Sequence, residues 1–141
     1  MVVVVDFRKI SNSLSMACIP GVPIEALRQV VNWARKRLVE LGSAKPILRI
    51  GGAVKAGLCA TDNGNFIIDE PFRDEYVVGI EGDGVEGSVV GDTRTVERLA
   101  EEIKKIVGVV EHGIFCRGNA KAVVAYFGME DGSVTTRTEG V

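Results

Sequence analysis

The sequence predicts an α/β (α+β) chain: a ferredoxin-like βαββαβ domain over residues 22–118, flanked by strands that belong to something else. Three observations carry this. Two segments repeat apolar residues at helical spacing, four short β-rich runs surround them in the order β-α-β-β-α-β, and a continuous valine run opens the chain.

The opening "VVVVDF" (2–7) reads as a strand buried on both faces, because a sheet covered on both sides selects unbroken apolar runs rather than alternation. The polar, irregular stretch 6–21 ends in Pro20-Gly21 and reads as a loop. "VPIEAL" starts a short strand. Leu27, Val30, Val31, Ala34, Leu38 and Leu41 then fall at helical spacing, and Gly42 supplies the C-terminal cap. "KPILRI" (45–50) reads as a strand and "GGAVKAG" (51–57) as a flexible loop. "LCAT" and "FIID" flank Asn63-Gly64, the pair favoured by a type I′ hairpin turn, which needs positive φ at both central residues. Asp62 and Asn65 are expected to fix that turn through local side-chain bonds.

Residues 73–94 are glycine-rich and acidic and read as an insertion. "TRTVERLAEEIKKIVG" (93–108) predicts a helix with Thr95 at its N-cap, an apolar stripe of Val96, Leu99, Ile103 and Ile106, and Gly108 at its end. Arg98 stands where a capping box needs Glu. Runs 109–116 and 120–128 and the final "SVTTRT" read as strands, with "MEDG" (129–132) as a turn.

Composition narrows the function classes. The 141 residues suffice for one compact domain, with 46% hydrophobic and 26% charged residues. One Trp, two Tyr and five Phe leave the core to aliphatic side chains. A net charge of −2 gives no global attraction to nucleic acid or an anionic membrane. The apolar amino terminus is too short for a signal peptide or a spanning helix, so a cytoplasmic location is expected. Cys18, Cys59 and Cys116 are widely spaced in apolar surroundings and read as reduced packing residues.

Few motifs carry chemistry by themselves. "GDGVEG" (82–87) fits a dinucleotide fingerprint, but Asp83 and Glu86 would repel phosphate and no helix follows. His112, the single histidine, reads as a strand residue, and the cysteines do not complete a zinc site around it. Asp69/Glu70 and Asp74/Glu75 are adjacent pairs whose members point to opposite faces of a strand, which excludes a shared acid–base role; all four are expected to be solvated. Lys9 follows the valine strand in a loop of the kind that binds ligands in α/β proteins, where a lysine can hold a phosphate as a point charge. Taken alone, it reads better as a solvated loop lysine.

Five segments in order, "VVVVDFRK", "GVPIEAL", "KAGLCATDNGNFIID", "VGVVEHGIF" and "AYFGMEDGSV", resemble the type A ribose-5-phosphate isomerase family, with an ending similar to its eukaryotic, fungal branch. The resemblance covers nearly the whole chain outside the insertion. It implies a ferredoxin-like lid beside remnant strands of a larger Rossmann-like α/β domain, split at 1–21, 22–118 and 119–141. It also implies interconversion of ribose 5-phosphate and ribulose 5-phosphate in the pentose phosphate pathway, with no metal or other cofactor and a tendency to form homo-oligomers. In that family a glutamate moves a proton between C2 and C1 through an enediolate, while lysines and backbone amides hold charge. By position Lys9 is similar to the family's substrate-contacting lysine.

The family's phosphate loop, its D-G-A-D segment and the loop ending in the catalytic glutamate have no counterpart in this sequence, which begins at the strand after them. No catalytic residue is therefore assigned, and the isolated chain is expected to be inactive. Leu58 stands where the family more often has Pro, and "NAKAVVAYFG" is longer than the family pattern. The alternative is a non-catalytic ferredoxin-like module with an assembly or regulatory role. Such a self-sufficient domain would expose the valine strand at one end and a hairpin at the other, and is expected to self-associate through residues 1–5 and 122–127.

Overall fold

A computed structural model describes residues 1–10, 20–52, 56–72, 96–116 and 121–138. The architecture is mixed α/β, with two sheets and two α-helices among the described residues. The insertion at 73–94, Thr95, Asp74/Glu75, "GDGVEG" and Cys18 lie outside them.

The first sheet has the order β1-β6-β7. Strand β1 (Val2–Asp6) runs parallel to β6 (Val124–Gly128), with Val2 opposite Val124 and Asp6 opposite Gly128. Strand β7 (Val134–Thr138) returns antiparallel to β6 after the Met129–Gly132 turn, where Gly132 adopts φ 84°. The expectation that β1 is buried on both faces is corrected. It lies at the sheet edge, and Val2 and Val4 are 56% and 75% exposed. A valine run sets strand propensity, but burial depends on what covers each face.

The second sheet has the order β3-β4-β2-β5, antiparallel at every pairing: β3 (Ile47–Leu48), β4 (Phe66–Glu70), β2 (Val22–Ala26) and β5 (Val109–His112). Alternation along β2 and β4 sends Val22, Ile24, Ala26, Ile68 and Glu70 to one face, which is buried. Helix α1 (Val31–Glu40) adds Val31, Ala34 and Leu38 to the core, and α2 (Val96–Lys104) adds Leu99, Ala100 and Ile103. Spacings of three and four residues, 31/34/38 in α1 and 99/103 and 100/103 in α2, place each set on one helical stripe. Leu27 is a correction: it precedes a 3₁₀ turn (Arg28–Val30) and is exposed rather than helical.

Local signals placed the turns. Gly42, at φ 100°, closes α1 with Gly42 N donating to Val39 O and Ser43 N to Leu38 O, the paired bonds of a Schellman cap. Gly108 adopts φ 90°, and a Cβ there would meet Val30 Cγ2 at 2.0 Å. The strands at 45–50 and 109–116 are shorter than expected, although Arg49 N still donates to Ile67 O and Gly113 N to Pro23 O, each at 2.8 Å.

The hairpin at 58–69 is another correction. Gly64 has φ 76°, but Asn63 does not have positive φ, so the turn is not type I′. Gly64 N donates to Thr61 O and Thr61 N to Asn65 O, the three-residue loop in which only the last position needs positive φ.

Candidate functional site

The carboxyl end of the parallel pair β1/β6 carries the charged loop expected from the sequence. Asp6 ends β1 and caps the 3₁₀ turn Phe7–Lys9, its Oδ1 accepting from Arg8 N at 2.8 Å. Arg8 also donates from Nε to Asp6 Oδ1 at 2.8 Å and from Nη2 to Oδ2 at 3.0 Å. These bonds to Arg8 hold the Asp6 carboxyl below its usual range and push the Arg8 guanidinium above its own. Arg8 is thus committed to Asp6. Lys9, one residue on, is exposed and makes no ion pair among the described residues.

The "TDNGN" hairpin carries a second polar cluster. Glu25 Oε1, on β2, accepts from Thr61 Oγ1 and from Asn65 Nδ2, each at 2.8 Å, while Asn65 N donates to Thr61 Oγ1 at 3.2 Å. Asn65 is buried and its side chain reaches Glu25 rather than its own turn, and Asp62 is exposed. Arg28 stacks over the Phe66 ring beside this cluster, 5.1 Å from its centroid.

Asp69 and Glu70 point to opposite faces, as strand geometry requires, but neither is solvated. Asp69 accepts from Arg49 Nε at 3.1 Å and 3.0 Å. Glu70 is fully buried in the core face, where burial pushes its carboxyl up to about 7. Parity was the available signal, since Glu70 shares the face of Ile68; the charged residue type hid it.

His112 is half-buried on β5, with Nδ1 accepting from Ile114 N at 3.3 Å. It lines an open groove of about 650 Å³ between α2 and the end of β5, with Lys104, Lys105, Glu111, Phe115 and Cys116. Lys104 is taken up by Glu111, at 3.0 Å, and by the Val110 carbonyl. Among the described residues, no three His, Cys, Asp or Glu side chains group to hold a metal, and no helix is long and apolar enough to cross a membrane.

Residues 1–132 match the sequence pattern described as ribose 5-phosphate isomerase A (phosphoriboisomerase A). The chain belongs to the ribose 5-phosphate isomerase A family. It is 39% identical over 145 residues to a ribose-5-phosphate isomerase of Cryptococcus neoformans, covering 98% of this chain and 42% of that protein. A solved ribose 5-phosphate isomerase A from Methanocaldococcus jannaschii superposes with a TM-score of 0.69 at 29% identity, over 97% of this chain and 48% of the other. A D-ribose-5-phosphate isomerase solved in complex with phospho-erythronic acid gives a TM-score of 0.71 at 29% identity, with the same coverages. The chain thus spans less than half the length of these isomerases. Membership in an enzyme family does not favour the non-catalytic alternative.

The ribose 5-phosphate isomerase A match includes Lys9 and the Glu25–Thr61–Asn65 cluster. Sequence reasoning singled out Lys9 at the strand end and placed the hairpin. It missed Glu25 as the acceptor, because nothing local to Glu25 marks a partner 40 positions away.

Proposed function

We propose that this chain is part of an enzyme that interconverts ribose 5-phosphate and ribulose 5-phosphate, and that Lys9 contacts the substrate. The observation that carries the reading is the division of labour at the end of β1: Arg8 is held by Asp6, whereas Lys9 is exposed without an ion pair among the described residues. A sugar phosphate is an anion, and enediolate formation adds negative charge at O1 and O2. An ammonium at the carboxyl end of a parallel strand favours both. The complex with phospho-erythronic acid supports a sugar-phosphate-like ligand.

Residues 22–118 are proposed as a ferredoxin-like lid, with 1–21 and 119–141 belonging to the domain it covers. The strand order β3-β4-β2-β5 around two helices supports that division. The proton moves between C2 and C1 through a carboxylate base for which this chain offers no matching residue, so the isolated 141 residues are expected to bind substrate weakly and not to turn it over. No cofactor enters this scheme. The protein is expected in the cytoplasm as a homo-oligomer.

The test measures ribulose 5-phosphate formation by the purified chain, made in a host lacking its own isomerase, beside Lys9→Ala. A folded, inactive chain whose ribose 5-phosphate binding by NMR weakens in Lys9→Ala supports the proposal. Turnover by the chain alone would show that a base is present among residues set aside here, and binding indifferent to Lys9 would remove its assigned role.

A further inference from the structure

The chain enters the four-stranded sheet at Gly21-Val22 and leaves β4 at Pro71-Phe72, and both connections meet at Glu70. Val22 is paired with Glu70, and Ser43 bridges Phe72. Ala44 N donates to Pro71 O at 3.4 Å. Gly21, at φ 81°, packs so tightly that a Cβ would lie 2.0 Å from the Glu70 carbonyl oxygen. At this junction the Glu70 side chain has no solvent exposure. Neither of its carboxyl oxygens has a hydrogen-bond partner among the described residues, and neither does the buried Ser43 Oγ beside it.

An ionised carboxylate there would be desolvated without compensation, whereas a protonated one is tolerated in a core. The charged groups on the packed elements do not relieve it, and on β5 His112, paired with Ile24 on the same sheet face, accepts at Nδ1 from Ile114 N at 3.3 Å. On α1, Arg35 donates to Pro46 O at 3.0 Å and Arg37 pairs with Glu40; on α2, Arg98 pairs with Glu102 at 3.5 Å. Arg49 and Asp69 pair on the opposite face of β4, where Glu25 of β2 also lies.

We propose that Glu70 and Ser43 form a proton-operated latch: with Glu70 protonated the two connections are clamped to the sheet, and its ionisation releases them. Burial raises the Glu70 pKa from 4.5 to about 7, and Ser43, placed too poorly for a full hydrogen bond, offsets this only in part. Between those values the folded state keeps a proton that the unfolded state has lost. Stability therefore falls as pH rises through that window, and the penalty is complete above about 7.

The experiment compares urea denaturation and amide hydrogen exchange of the wild-type chain and Glu70→Gln from pH 5 to pH 8. Exchange is corrected for its intrinsic pH dependence. The expected wild-type result is a fall in the folding equilibrium on the order of a hundredfold across the window, with protection lost first at Val22 and Ala44. Glu70→Gln, which cannot ionise, should show a much flatter profile. Parallel profiles in the two proteins would overturn the latch. Should Glu70→Gln fail to fold, a ¹³C titration of the Glu70 carboxyl in the wild-type chain decides: a midpoint near 7 supports the latch, and one near 4.5 removes it.

Discussion

Asn65 Nδ2 donates to Glu25 Oε1 at 2.8 Å across 40 positions of sequence, tying the 58–69 hairpin to β2, one of the two central strands of the four-stranded sheet. Thr61 Oγ1 donates to the same oxygen at the same distance. Thr61 and Asn65, which exceed what a turn requires, are thus explained by a carboxylate two strand positions from Pro23.

Removing that carboxylate leaves the buried Asn65 amide unpaired. Glu25→Ala is expected to destabilise the fold by about 1–3 kcal/mol, the usual cost of stranding a buried donor. Glu25→Gln, which keeps an acceptor oxygen, should cost less. Urea denaturation of the two variants checks the order; equal losses would mean that packing, not the hydrogen bonds, holds the turn.

Two glycines separate backbone strain from steric conflict. Gly64 has positive φ with open space around the missing Cβ, so Gly64→Ala should cost only the strain of a left-handed residue, about 1–2 kcal/mol. Gly108 has positive φ and Val30 Cγ2 in the path of a Cβ, so Gly108→Ala should cost more. Thermal melts of Gly108→Ala with and without Val30→Ala test this: Val30→Ala should cost less in the Gly108→Ala background than alone.

Lys9 and Arg8 are neighbours in different settings: Arg8 is held by Asp6, and Lys9 is exposed. In the purified chain, Lys9→Ala should weaken ribose 5-phosphate binding by about tenfold or more, the scale of one lost hydrogen bond to a charged group. Arg8→Ala should change binding much less, because its guanidinium already faces Asp6. Chemical-shift titration with ribose 5-phosphate separates the two; a larger effect from Arg8 would reverse the assignment.

The open face of β1 is expected to drive self-association. Val2 and Val4 are exposed beside Tyr126, which is 40% exposed on the adjoining strand. Val4→Lys should shift the chain toward monomer in sedimentation velocity, since a charge on an edge strand opposes pairing. A wild-type chain that sediments as a monodisperse monomer would count against the prediction.

The sequence by itself determined the elements whose causes are local. The 3–4 spacing in α1 and α2, the cap at Gly42, the turns at Gly64 and Gly132 and the strand character of the valine run all follow from preferences acting over a few residues, and Lys9 could be placed at a strand end by the same reasoning. Only the tertiary structure decided which faces are covered. It opened one side of β1, sank Glu70 into the core, paired Asp69 with Arg49 and delivered Glu25 to Thr61 and Asn65. The physical reason is that burial and long-range hydrogen bonding depend on which elements stack. An acidic residue carries the same local propensities whether its strand face meets water or a helix, and only the assembled sheet distinguishes the two.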